Sequence, residues 1–364
     1  MRGFYDILDS VETGGGVLHF DVDWDRGRVA AISDERDALS LFALDRDTLR
    51  LGSRFGDSLS PAEGQGATNV ILHPCEDVAV TAGWDRPLRL WSCDPVRLIH
   101  EFGDPRPTAP AMNRHGFWGA SFSACGRYVD THNLGLECGQ RFNWATAEPV
   151  ANRWGHDGPF TRHPAGDLLA LAIGAEASVV FFGICDGPTV KWLPVAINLW
   201  VPCKLAFGAG TLAAAGGVSR IQVIAYDFPT LRARFAVKLD AVDEDTAGVF
   251  VVSQALAFSP GVRFLYVPGA DGEIVAMDAA DGRELHRWRA HDDMVTHLVH
   301  HPCAGRLMSG GLDGRIALSV TPVDVPRAGA VEEIQEFLRV YPPMTDDPDR
   351  MPQDAVTYLD TPIP

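Results

Sequence analysis

The sequence has no C-x-x-C pair and no Cys/His cluster at zinc-ligand spacing. Its seven cysteines stand singly, at positions 75, 93, 125, 138, 185, 203 and 303. An odd count with loose spacing argues against a disulfide framework and suits reduced thiols in a reducing compartment. The first residues, "MRGFYDILDS", hold no apolar segment of the kind that directs secretion, and no apolar run approaches a membrane span. The expectation is a soluble, cytoplasmic chain. Lysine is scarce beside Ala, Gly, Asp and Arg, a composition that fits a GC-rich bacterial genome. Lys and Arg together number 31 against 48 Asp and Glu, for a net charge of -17. So acidic a surface repels phosphate backbones and anionic bilayers, which excludes nucleic acid and membrane as expected partners. There is no Walker loop, no dinucleotide fingerprint and no G-x-S-x-G elbow. "TGGGV" at Thr13–Val17 has no Lys and no following helix, and reads as a linker. Helical periodicity is nearly absent before residue 320.

What is present is a repeat. "TNVILHPCEDVAVTAGWDRPLRLW", ending at Trp91, aligns with "VTHLVHHPCAGRLMSGGLDGRIALSV", Val295 to Val320. In both, an alternating strand ends in His-Pro, and a Cys and a polar turn follow. A second strand ends in small residues, a tight turn carries Asp, and a third alternating strand closes the unit. His73 stands to Asp85 as His301 stands to Asp313. Weaker copies begin at Leu18, Ala120, Phe160, Lys204 and Ala255, with turns near residues 24, 73, 123, 163, 208, 259 and 301. Seven units of about 40–50 residues match the period of propeller blades. A small twisted sheet cannot bury both faces alone, and a ring of such sheets can. Expected blades span about 17–56, 68–103, 115–154, 155–194, 200–238, 250–288 and 291–320. The seventh runs out of pattern after three strands, and the spare N-terminal "GFYDIL" is expected to complete it as a strand over 3–9. The fold class is therefore all-β, a seven-bladed β-propeller closed by an N-terminal strand.

On these residues the chain resembles the WD-repeat family over residues ~4–320, with its strongest letters in two blades. The resemblance implies a buried structural tetrad of His, Ser or Thr, Asp and Trp. Blade two matches with Thr81, Asp85 and Trp91 and lacks the His; blade seven matches with His291, Ser309 and Asp313, with Ser319 where Trp would stand. Blade six keeps Asp271, but Val267 and Met277 replace the polar and Trp members.

Several groups invite a chemical reading. His291, His297, His300 and His301 are dense, but on a strand His297 and His301 share a face while His300 points the other way, and His301 belongs to a recurring His-Pro turn. No metal site is expected. The grouping of Ser309, His291 and Asp313 is that of a hydrolase triad; under the family resemblance it is a structural network instead, and no catalytic residue is expected. "GADGEIVAMDAADGRELHRW" resembles a blade of quinone-dependent dehydrogenases, yet His286 replaces a Trp and no other blade repeats it, so it reads as an Asp-Gly turn. No cofactor is expected.

Aromatic, Arg and Met residues at the loops entering first strands, and at turns between second and third strands, form the better lead. Trp84 and Arg86 lie in such a turn. His115, Trp118, Trp154, His156, Trp200, Asp293 and Met294 lie just before first strands. Each Trp has an alternative role as packing between blades. From residue 321 the composition changes. "AVEEIQEFLRV" puts Val331, Ile334, Phe337 and Leu338, with Tyr341, on one helical face that ends at Pro342. The helix of residues 330–341 either packs on the propeller or docks on a partner, and an extended tail follows. The function expected is a non-catalytic scaffold binding a protein or peptide with a basic surface. The alternatives are a lactonase-like or quinone-dependent enzyme or small-molecule binder using the channel, and an acidic antitoxin or immunity-type protein.

Overall fold

The computed structural model describes residues 4–34, 39–45, 50–55, 67–83, 86–102, 117–133, 138–155, 160–164, 166, 168–173, 179–186, 189–198, 203–216, 220–241, 255–326, 330–340 and 357–359. The chain forms seven antiparallel sheets, spanning residues 17–55, 67–102, 117–155, 160–198, 203–241, 257–289 and 295–320, the last completed by Ile7–Glu12. Each is a simple meander in which neighbouring strands are consecutive. The first strand of every blade touches the first strands of both neighbouring blades, all the way round. First strands are therefore innermost, and the sheets close into a propeller around a central channel.

Burial on both faces explains the composition of the middle strands. In Thr211–Gly216 of blade five, Leu212 and Ala214 pack toward blade four while Ala213 and Ala215 pack toward blade six. A strand buried on both sides reads as a continuous apolar or small-residue run, with no polar alternation. Val78–Gly83 of blade two is buried at all positions for the same reason.

One turn is repeated between first and second strands. The amide of the turn residue donates to a carbonyl five residues on: His73 to Val78, Ser123 to Tyr128, His163 to Leu168, Ser259 to Phe264 and His301 to Arg306. In two copies the imidazole caps the turn. His73 Nδ1 accepts from the amides of Cys75 and Glu76, and His301 Nδ1 accepts from those of Cys303 and Ala304. With Nδ1 an acceptor, the neutral ring of His73 carries its proton on Nε2 and donates it to Gly126 O of the next blade at 2.7 Å.

Closure is made by Ile7–Glu12 pairing antiparallel with Arg315–Val320. The strand begins and ends later than the expected 3–9. The reason is at Tyr5, whose φ of 70° makes a turn and lays its ring on His286 (4.2 Å between centroids) and Trp288 (4.9 Å) of blade six. Asp9 Oδ2 accepts from Leu51 N of blade one. After the strand, Thr13 Oγ1 donates to Gly15 O and Gly314 O, and Gly14 takes φ 85°.

After blade seven the chain turns back across the ends of the blades that carry the first-to-second turns. Thr321 N donates to Gly305 O of blade seven. Asp324 Oδ2 accepts from Ser259 Oγ and Arg263 N of blade six. In the helix Ala330–Val340, Glu333 Oε2 accepts from Gly210 N of blade five at 2.7 Å. Phe337 is fully buried beside Phe228, and Ile334 and Leu338 pack against the same cluster of blades four and five. The apolar face of the helix is thus used inside the chain; Tyr341 lies outside the described residues. Beyond it, Thr357–Leu359 adds a parallel fifth strand to the outer edge of blade four.

Removing residues 1–12 leaves blade seven with three strands and an open edge at Arg315–Val320. The truncated chain is expected to lose a single cooperative unfolding transition and to self-associate. Thermal melting and size-exclusion chromatography check this; a monomer with an unchanged melt contradicts it.

Candidate functional site

Antiparallel meanders put the loops that enter first strands at the same end as the turns joining second to third strands. The His-Pro turns lie at the other end. At this loop end Arg86 opens Arg86–Cys93 and pairs with Gly83, Trp118 is the second residue of Phe117–Phe122, and Trp154 pairs with Gly139 near the end of Pro149–Gly155. Their backbones thus share one end of the ring, in blades two and three; their side chains lie outside what is described. Trp84, Asp85, His115, His156 and Trp200 also lie outside the described residues. Asp293 is exposed and Met294 half-buried, in the loop entering blade seven. Met294 O accepts from Leu312 N, which ties that loop to the adjoining second-to-third turn.

The loop end of blade seven rests on His291. Its Nδ1 lies 2.9 Å from Asp313 Oδ1 and its Nε2 2.8 Å from Ser309 Oγ. Burial depresses the basicity of His291 more than Asp313 raises it, so the ring is neutral. Nδ1–H then donates to the carboxylate, and Nε2 accepts from the Ser309 hydroxyl. Burial alone would raise the Asp313 carboxyl, but hydrogen bonds from Asp292 N and His291 outweigh it and hold it below its ordinary value. The bonding pattern is that of a nucleophilic triad. Access decides against that chemistry: Ser309 and His291 are each 0% exposed. An added Cβ on Gly311 would stand 2.5 Å from His291 Nδ1, so the ring is packed with no room for substrate.

Three further expected positions, Thr81, Trp91 and Ser319, also engage. Trp91 Nε1 donates to Thr81 Oγ1 at 2.9 Å within blade two. Ser319 accepts from the indole of Trp288, on the outer strand of blade six. In blade six, Asp271 and Gly272 both have positive φ, 53° and 76°. That is the Asp-Gly hairpin of the primed type, and Gly272 O accepts from the amides of Ala290 and His291.

The histidines of blade seven serve separate ends. His297 stacks on His19 of blade one (3.9 Å between centroids), and His301 packs on Trp24 of the same blade. His300 faces blade six, stacked on Tyr266, with Nδ1 donating to His301 O and Nε2 accepting from Thr321 Oγ1. Among the described residues no group of three or more His, Cys, Asp or Glu is placed to hold a metal ion. Cys75, Cys93, Cys125 and Cys303 are free thiols.

Two constellations were not visible in the sequence. In blade three Asp130 and Arg141 are fully buried, and the guanidinium grips the carboxylate at 2.6 Å through both Nε and Nη2. Arg162, on the inner strand of blade four, reaches the same carboxylate, so the group clamps two blades. At the channel, His19 and His297 meet from the inner strands of blades one and seven, and Lys204 stands at a similar height on the inner strand of blade five. Neither group is contiguous in sequence, and only the ring brings its members together.

No protein-family model matches the chain, and no curated protein matches it. Among the described residues no helix is long and apolar enough to cross a membrane.

Ser309→Ala leaves His291 Nε2 buried without a donor and is expected to destabilise the fold by about 1–3 kcal/mol. Equilibrium urea denaturation measures it, and an unchanged midpoint contradicts the network's role. A second expectation concerns pH. His19, His73, His163, His291, His297, His300 and His301 are all held below the ordinary histidine value, burial being the leading cause in each. As pH falls through ~6.5 the unfolded chain binds protons that the folded chain refuses, so stability falls on acidification. The limit is about 1.4 kcal/mol per pH unit for each ring that stays neutral, and less at the half-buried His301. His163 and His300, pushed down to about 4, extend the effect well below the ordinary histidine range. Urea midpoints are expected to fall steadily from about pH 7 to pH 5; a flat profile contradicts this.

Proposed function

We propose that the chain is a non-catalytic interaction scaffold of the WD-repeat type, which binds a protein or peptide on its loop end. The observation that carries this reading is the difference between the two ends of the ring. Segments 321–326 and 330–340 lie along the turn ends of blades seven, six, five and four. These segments leave the loop end uncovered. Support for the WD-repeat assignment comes from the seven sheets, the strand that closes the ring, the Thr81–Trp91 bond and the His291 network. A non-catalytic role is favoured because the Ser-His-Asp group is sealed in the core.

A basic partner suits this end. Asp292 is 75% exposed at its side chain, Asp293 stands beside it, and the chain carries a net charge of -17. Such a field speeds encounter with cationic surfaces and depends on salt. The free thiols among the described residues, three of them exposed, support a cytoplasmic site of action.

The reading is tested by affinity capture from native lysate with mass spectrometry. Wild type is compared with the pair Trp84→Ala/Arg86→Ala and the pair Asp292→Lys/Asp293→Lys. A basic protein is expected to be enriched by wild type and reduced roughly tenfold or more with either pair. Identical capture by all three chains removes the loop end as the binding site.

A further inference from the structure

Inner strands of blades one, five and seven bring three basic side chains to one level of the channel. His19 is the third residue of Val17–Asp23, His297 the third of Val295–His300, and Lys204 the second of Cys203–Gly208. Inner strands all run the same way around the ring, so these positions stand at similar height, near the loop end. His19 and His297 are in ring contact, 3.9 Å between centroids. Burial is the main cause that lowers the basicity of both rings, and the charge of Lys204 lowers it further. Blade five lies two blades from blade seven and three from blade one, so that lysine reaches them across the axis. At the same level Gly119 is the third residue of Phe117–Phe122, and a Cβ added there would meet open space.

This cluster lacks what buried polar groups ordinarily have. Lys204 has no ion-pair partner among the described residues, and burial pushes its ammonium down to about 8 although the residue keeps some exposure to the channel. Asp21 does not neutralise it. That carboxylate accepts from the amides of Leu72 and Val22, and Lys204 is not among the charges that act on it. His297 is 8% exposed, and its Nδ1 is buried with no hydrogen-bond partner. His19 Nδ1 accepts from Val70 N at 3.4 Å, which leaves the proton of the neutral ring on Nε2, available to donate. By contrast, His291 and His300 each have partners on both nitrogens.

We propose that the loop end of the channel binds a small oxyanion, a phosphate or carboxylate group, with Lys204 supplying the charge and His19 and His297 supplying ring N–H donors. A lysine ammonium is a compact point charge that suits such oxygens. The bound anion gives Lys204 its missing counter-charge and accepts from the Nε2–H of His19. The acidic surface outside repels polyanions, so the site takes something small. This site is independent of the loops that carry the scaffold reading.

The test uses the full chain at fixed ionic strength, with inorganic phosphate and succinate as separate titrants. Calorimetry reads affinity, and imidazole NMR signals report His19 and His297. Saturable binding at one site, with Kd below about 1 mM, is expected for at least one anion, with both rings shifted. Lys204→Met is expected to weaken it at least roughly tenfold, while Lys204→Arg stays within a few-fold. Thermal melts confirm that each variant is folded; if Lys204→Met is not, Lys204→Gln takes its place. Phosphate binding alone assigns a phosphate site, and succinate binding alone a carboxylate site. The proposal is overturned if neither anion gives a saturable shift up to roughly 20 mM, or if a folded Lys204→Met chain binds as tightly as wild type.

Discussion

Everything in this molecule depends on the pairing of Ile7–Glu12 with Arg315–Val320. Each blade is apolar on both faces and is stable only between two neighbours. A row of seven blades would leave two such faces in water. Joining the first residues to the last blade removes both, and it gives blade seven its fourth strand. It also sets the height of the inner strands relative to one another, and so determines which side chains meet in the channel. Tyr5, resting on His286 and Trp288, and Asp9, bound to Leu51, secure the strand to blades six and one as well.

A ring of meanders creates a second problem, at the axis. The innermost strand of every blade is an edge strand with unpaired amides. Here side chains of one blade satisfy the backbone of the next. His19 meets Val70 N, Asp21 meets Leu72 N, and Asn69 meets Ala120 N, each pair 51 residues apart. Thr296 makes the corresponding bond from blade seven to Val17 O. The polar residues of the inner strands are thus mostly accounted for, and those without a partner stand out against them. Burial removes the Ser309–His291 pair from the candidates for nucleophilic chemistry, because both side chains are sealed from solvent.

The parts legible in the sequence were those that each blade decides for itself. The His-Pro turn, the alternating strands and the small residues of second strands are local patterns, and they recur. Seven sheets could therefore be counted even where only the turn was clear, as at Ser123 and His163. The closing strand was visible as a surplus segment, but not its bounds, because those follow from where Tyr5 finds His286. Contacts between blades were not legible. Asp130, Arg141 and Arg162 are separated by up to 32 residues, and His19, Lys204 and His297 by far more. No spacing rule connects them until the ring is built. The strand Thr357–Leu359 had no apolar signature either, since main-chain pairing along an outer edge asks little of side chains. The aromatic loop positions could be assigned to one end by counting strands, but counting says nothing of how a side chain points.

The closing pair has a consequence for how the molecule is made. Thr13 and Gly314, bonded to each other at the end of that strand, are 301 residues apart in the chain. At ordinary rates of synthesis the first strand leaves the ribosome roughly 15–60 s before its partner exists. Throughout that interval it is an unpaired strand beside blades that are already forming. Asp6, Asp9, Ser10 and Glu12 make it polar and negatively charged, which disfavours pairing with other nascent chains. The last sheet to form is the one that also holds Ile7–Glu12, so a ribosome that stops before residue 315 releases a chain whose ring cannot shut.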